Sequence, residues 1–263
     1  MPGEKGDAVS LSGLSGLSGL SGSVGGASGG TPGSTVLALA DYATDTLLNE
    51  SDIAVTDGSR VHKWTMTTGG LWTYALASSA GASEAPIYVA ASGVHTGGDN
   101  AALTVASAIT IPADADCVIY VKANLGALES GLYAIGSSTT GQNITVATGD
   151  GTSDHSVVLA FDGVGASVVA AVMTGRSATG VYLLRFIRAS GSWAFACTGV
   201  ASAAMMPTGT VTGSISFDTL LAYGASGTLS TFSTSGMYLQ KLYIRHGTSS
   251  PDTDYETANG GVL

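Results

Sequence analysis

The sequence predicts an all-β protein: a glycine-rich N-terminal arm, a small β-meander with one short helix, and a C-terminal jelly-roll sandwich. Composition is the first reason. Glycine supplies 38 of the 263 residues, charged residues are only 11% and hydrophobic residues reach 44%. Few charges among abundant Gly, Ser, Thr and Val mark loop-rich β proteins, and a disordered chain would be charged and poor in apolar residues. The second reason is a succession of short β-branched and aromatic runs separated by Gly, Asp and Ser, with no alternating helical segments. The third is a three-residue repeat near the N-terminus.

Residues 11–22 read Leu-Ser-Gly four times over, and glycine holds the spacing through Gly13, Gly16, Gly19, Gly22 and Gly25. A glycine at every third position is what three polyproline-II chains require, because only a hydrogen fits on their common axis. Gly3 and Gly6 share the spacing one residue out of phase. The triplets lack proline, and at ~3.1 Å per residue they would build a rod of only ~40 Å. Such a rod needs a neighbouring trimeric domain to hold its ends together. Leucines such as Leu14 and Leu17 suit a packed segment better than a solvated one, although a plain Gly/Ser tether is the alternative. Residues 1–34 are therefore expected to be a threefold stalk or an anchor that orders against a partner.

In the next stretch, 35–78, Val36, Ala40, Ala43 and Leu47 recur at helical spacing behind a capping Ser34 or Thr35, which predicts a helix near 36–48. Asp57-Gly58 and Gly69-Gly70 then read as turns between strands that carry Trp64 and Trp72. This meander is too small to bury a core alone and would gain from threefold packing. His62 and Trp64 share a face by alternation and read as a packed aromatic pair rather than as ligands. Residues 79–86, small and ending at Pro86, mark a linker and a domain boundary.

From residue 87 to 263 the strand runs are 87–92, 102–111, 117–124, 131–137, 143–148, 155–161, 166–173, 180–189, 192–198, 209–223 and 236–246. Within them Tyr182, Leu184 and Phe186 oppose Arg185, while Cys117, Ile119 and Val121 oppose Tyr120 and Lys122. Two packed antiparallel sheets produce that alternation. Ser-Pro-Asp-Thr-Asp-Tyr-Glu at 250–256 offers a cap, a proline at the first helical position and acidic residues in the first turn, so one short helix follows the last strand. Gly93–Asn100 reads as a surface loop.

A formal net charge of −10, with nine scattered Lys and Arg, argues against a nucleic-acid partner. No basic region precedes a continuous apolar run, so no secretory signal is expected, and nothing approaches the ~18 apolar residues of a membrane span. Cys117 and Cys197 lie in apolar runs and read as buried free thiols, with a disulfide as the alternative.

Catalytic patterns are missing. No phosphate-binding glycine loop or paired metal-ligand motif occurs, and His62, His95, His155 and His246 lie far apart. Glycosidases need two carboxylates ~5–10 Å apart. Glu84, Glu129 and Glu256 are the only glutamates after residue 50, and none has an acidic partner two residues away on a predicted strand. The expectation is a protein that is not an enzyme and has no cofactor, except that Asp150 and Asp154 in a glycine-rich turn would suit calcium. Trp193 with Arg176 is the candidate glycan platform, against core packing of Trp193.

The order of the C-terminal segments resembles the concanavalin-A-like (laminin-G-like) jelly roll. It runs from Val181-Tyr-Leu-Leu-Arg-Phe-Ile-Arg through Ser190-Gly191, Trp193-Ala-Phe and Leu220-Leu-Ala-Tyr-Gly to Met237-Tyr-Leu-Gln-Lys-Leu-Tyr-Ile-Arg and a capped helical turn. The triplets followed by an Asp-Gly hairpin unit resemble fibre and spike proteins of tailed bacteriophages, tail or head. That resemblance implies a homotrimer on the virion, attached to capsid or tail proteins through residues 1–34 and displaying a domain that adheres to a host-surface glycan. A capsid decoration (cement) protein is the alternative, and a secreted lectin or glycan-active enzyme a third.

Light scattering of the full chain is expected to give three times the 26.0 kDa chain mass. Gly16→Val should lower the trimer fraction, because a side chain has no room on a threefold axis. A monomer at micromolar concentration would remove the threefold arm.

Overall fold

The computed structural model describes residues 34–76, 85–95, 101–125, 131–140, 142–148, 155–161, 167–174, 180–205, 213–225, 228–230 and 237–263. The described strands are β1 (Thr35–Asp41), β2 (Thr46–Leu48), β3 (Lys63–Thr65), β4 (Leu71–Leu76), β5 (Ile87–Val89), β6 (Gly93–His95) and β7 (Ala101–Ile111). They continue with β8 (Cys117–Leu125), β9 (Gly131–Gly136), β10 (Asn143–Thr148), β11 (His155–Phe161), β12 (Ser167–Thr174) and β13 (Gly180–Ala189). The last are β14 (Ser192–Cys197), β15 (Ser202–Met205), β16 (Ile215–Leu220), β17 (Tyr223–Ala225), β18 (Thr228–Ser230) and β19 (Tyr238–His246), followed by helix α1 (Thr253–Asn259).

The strands form an antiparallel sandwich, as an all-β jelly roll requires. One sheet runs β14-β13-β8-β19-β6-β5, with β1 also paired to β19. The other runs β15-β12-β11-β10-β9-β16-β7-β4-β3-β2. Side-chain alternation explains the two layers. Cys117, Ile119, Val121, Tyr182, Leu184 and Phe186 point into the main core, and Val118, Tyr120 and Leu183 form a second apolar cluster on the outer face. Trp64 and Trp72 sit opposite each other on β3 and β4 and are fully buried. Burial of each such side chain stabilises the fold by about 1.5–3 kcal/mol.

Several expectations need correction. Residues 35–41 are a strand, not the start of a helix: β1 pairs with β19 from Thr35↔His246 to Asp41↔Lys241. Ala38 and Ala40 enter the main core while Val36 and Leu39 join the outer cluster. With apolar residues wanted on both faces, the stretch mimics a helical stripe. The meander and the later strands also share both sheets, because β1 pairs with β19 and β4 with β7. Gly93–His95 is a buried strand rather than loop, since Val94 pairs with Leu239. Residues 1–33 of the arm and 79–84 of the linker lie outside the described residues, while Ala85 and Pro86 at the end of that linker are buried.

The outer cluster is closed by α1, which Asp252 caps by accepting a hydrogen bond from the Tyr255 N–H at 3.0 Å. The expected cap lies two residues earlier, at Ser250. Glu256 is fully buried beneath the helix. Its Oε1 accepts from Arg185 Nη1 at 2.6 Å and from the Tyr120 hydroxyl at 2.9 Å, and its Oε2 accepts from the Leu263 N–H at 3.0 Å. Tyr243 and Arg245 both donate to Asp252 Oδ2. Burial pushes the Tyr120 and Tyr255 phenols well above the ordinary tyrosine range, so both stay neutral.

Arg188 is equally buried and donates to the carbonyls of Ala115, Gly213 and Pro112 at 2.7, 3.1 and 2.7 Å. Cys117 and Cys197 are both free, and burial first of all raises the Cys117 thiol to about 11.

Glu256→Ala leaves the partly buried Arg185 without its carboxylate and the buried Tyr120 hydroxyl without its acceptor, a change that costs about 3–5 kcal/mol. For a chain this long the midpoint of thermal unfolding should fall by roughly 10 °C. A calorimetric midpoint within about 2 °C of the parent would mean that α1 carries no load.

Candidate functional site

The site is built around a turn. After β1 the chain reverses at 41–45, where the Asp45 and Thr44 N–H groups donate to the Asp41 carbonyl at 2.8 and 3.1 Å. The Asp45 carboxylate then fixes the turn to the sandwich. Its Oδ2 accepts from Trp64 Nε1 at 2.9 Å and from the Asp41 N–H at 2.8 Å. Its Oδ1 accepts from the Thr67 hydroxyl at 2.9 Å and the Thr67 N–H at 3.2 Å. Four donors on two oxygens leave this carboxylate little freedom to rotate.

That anchorage sets Tyr42 beside Tyr88. Tyr42 is held by its N–H to the Gln240 carbonyl at 3.0 Å and by its hydroxyl to the Ala90 carbonyl at 3.3 Å. Tyr88 is held on β5 through hydrogen bonds with Ser59 and Gly58. The Asp57 side chain accepts from the Ala90 N–H, which ties the Asp57-Gly58 turn to the same corner. The rings stand 6.1 Å apart at 47°, and both are half-buried. Together with Ala43, Asp45, Thr46, Leu47, Ala54 and Val55 they line an open cleft of about 280 Å³. Burial, then the neighbouring Tyr88 and Asp41, raises the Tyr42 phenol, so it is a neutral donor and acceptor at neutral pH.

Chemically this is an amphipathic cleft. The two rings offer apolar faces while phenol and threonine hydroxyls offer adaptable hydrogen bonds, the combination needed by a ligand with alternating C–H and O–H groups.

The sites expected from sequence fare differently. Trp193 is partly buried against the main core, with the Arg188 guanidinium 5.9 Å from its ring centroid. Arg176, Asp150 and Asp154 lie outside the described residues, as do Gly13, Gly16, Gly19, Gly22, Gly25, Leu14 and Leu17. His62 packs on Tyr74 at 5.0 Å rather than on Trp64, which faces the core. Among the described residues no group of three or more His, Cys, Asp or Glu could hold a metal ion. None of the described helices is long and apolar enough to cross a membrane.

Sequence reasoning missed Tyr42 and Tyr88. They are separated by 46 positions, and the only local signal was the Asp-Tyr-Ala-Thr-Asp turn, hidden inside the expected helix.

No protein-family model matches the sequence, and no curated protein matches it. Solved structures do resemble the fold. The enzymatically active domain of tailspike protein 2 from bacteriophage CBA120 aligns at 14% identity and a TM-score of 0.45, over 81% of this chain and 32% of that one. Domain 4 of an extracellular arabinanase from Geobacillus stearothermophilus, solved with arabinotriose, aligns at 13% and 0.41, over 84% and 97%. The binding domain of botulinum neurotoxin serotype D/C aligns at 10% and 0.41, over 85% and 51%. This chain therefore spans about a third of the tailspike chain's length. At these identities and TM-scores the likeness is one of general architecture and assigns neither ligand nor reaction.

One expectation is nevertheless withdrawn, that the chain is not an enzyme. Enzymes and their domains recur among the similar folds: the enzymatically active tailspike domain, domain 4 of the arabinanase, a sialidase and an alginate lyase.

Asp45→Ala would strand the indole N–H of fully buried Trp64 and free the turn. A loss of about 1–3 kcal/mol in urea unfolding is expected, with changed fluorescence of Trp64. A variant of parental stability would show that the carboxylate does not hold the cleft.

Proposed function

We propose that this protein is a virion structural protein, a homotrimeric fibre or spike whose sandwich adheres to a host-surface glycan through the Tyr42–Tyr88 cleft. The observation that carries the reading is the cleft itself: two fixed aromatic faces, open to solvent, with hydroxyl groups at hand. The virion assignment rests on the triplet arm, whose pattern resembles those of phage fibres and spikes and which would attach to capsid or tail proteins. A net charge of −10 would keep assembled trimers apart in solution and disfavours nucleic acid.

Threefold display also makes a shallow cleft useful. An open site of this size binds weakly on its own. Linked copies on one surface can raise avidity by about 10²–10⁴ without any new contact.

The experiment is a glycan array probed with the full chain beside Tyr88→Ala. The parent should retain a defined set of glycans, and Tyr88→Ala should lose at least about tenfold in affinity, the worth of one aromatic contact. Retention unchanged by Tyr88→Ala would remove the cleft as the site. An array without hits would remove adhesion to glycans, leaving the capsid decoration alternative.

A further inference from the structure

A second, larger concavity lies where β1, β4 and β7 meet, and Leu37, Gly70, Leu71, Val105 and Ile109 line its apolar part, about 640 Å³ in volume. Two local irregularities create it. Gly69 and Gly70 turn with φ of 110° and 84°, and a Cβ at Gly70 would stand 3.9 Å from Val105 Cγ2, on the wall of the groove. Along β7 the ladder with β16 jumps from Ile109↔Phe217 to Thr104↔Thr219, so β7 carries three extra residues there and bulges outward. Leu71 is 48% exposed at the rim. No charged side chain lines the groove, although the chain as a whole carries −10.

We propose that this groove seats the leucine face of residues 11–22. Two features of the sequence fit that occupant. Residues 8–34 contain no charged side chain, matching the uncharged groove. In a polyproline-II helix three residues complete a turn, so Leu11, Leu14, Leu17 and Leu20 fall on one face at ~9 Å intervals. A β-strand would instead send successive leucines to opposite faces. If three arms wind together, glycine takes the axis and the leucine face still looks outward, so the groove would receive it in either case.

Position allows the contact. Leu37 belongs to the groove, and the chain enters β1 only two residues earlier, at Thr35. Residues 23–33, rich in glycine, extend at ~3.3 Å per residue to about 36 Å, ample to bring the leucines back to the rim. Docking would cover the exposed Leu71 with the leucine stripe, and the arm would leave the sandwich in a defined direction. The contact does not depend on glycan binding.

The test uses the full chain with Leu71→p-benzoylphenylalanine, irradiated and mapped by mass spectrometry, and the same probe placed as Ser107→p-benzoylphenylalanine. Adducts within residues 11–22 are the expected result from both positions. Leu14→Asp combined with Leu17→Asp should cut their yield at least tenfold while thermal unfolding of the sandwich is unchanged. Adducts that join two sandwiches would mean that a second copy's head covers the groove, which overturns the proposal. So would the absence of adducts, or a yield indifferent to the aspartates.

Discussion

The molecule depends on the pairing of β19, the last strand, with β1, β6 and β8 from the N-terminal half of the chain. On one edge it runs against β8 from Tyr238↔Asn124 to His246↔Cys117. Its other edge takes β1 along Lys241–His246 and β6 at Leu239. Its inward side chains, Leu242 and Ile244, are fully buried in the main core, while Tyr243 and Arg245 face the cluster under α1. Contacts of such sequence separation are costly to close and are repaid only once the sheets pack, so the sandwich is expected to form as a cooperative whole.

The candidate site is a by-product of that closure. β1 reaches the end of its ladder at Asp41↔Lys241 and must reverse, and the Asp41–Lys241 ion pair at 2.7 Å marks the point. The turn that follows would be loose without Asp45, whose carboxylate reaches Trp64 and Thr67 in the second sheet. One structural carboxylate, Asp45, thus positions the turn that carries Tyr42, and a second, Asp57, ties down the corner beside Tyr88. Rigidity of this kind lowers the entropic cost of binding, because neither ring has to be ordered by the ligand.

Much of the fold was legible because the strands obey one simple rule. In β8 and β13, alternate side chains such as Ile119, Val121, Leu184 and Phe186 enter the main core, so period-two alternation names the core residues directly. In β1 apolar residues stand on both faces, Ala38 and Ala40 toward the main core and Val36 and Leu39 toward the outer cluster, so the alternation vanishes and the apolar residues imitate a helix. Short strands such as β6 carry too few residues to signal at all. The Gly69-Gly70 turn sets Trp64 opposite Trp72, and the same register carried two positions further along brings His62 to Tyr74, a pairing that same-face alternation alone did not reveal. The cleft was illegible for a related reason. Tyr42 and Tyr88 meet only after β1, β5 and the Asp57-Gly58 turn are in place, and Trp193, the aromatic that looked available, is packed beside Arg188.

In the arrangement proposed, the arm would dock beside the start of β1 and the ligand in the cleft after its end, so that attachment and recognition would share a single structural element. The most direct test of the central claim is a crystal structure of the full chain with a glycan that it retains. Density for a sugar ring between Tyr42 and Tyr88, within hydrogen-bonding reach of Thr46, is the predicted result. A sugar seated elsewhere on the sandwich, with the tyrosine cleft empty, would contradict it.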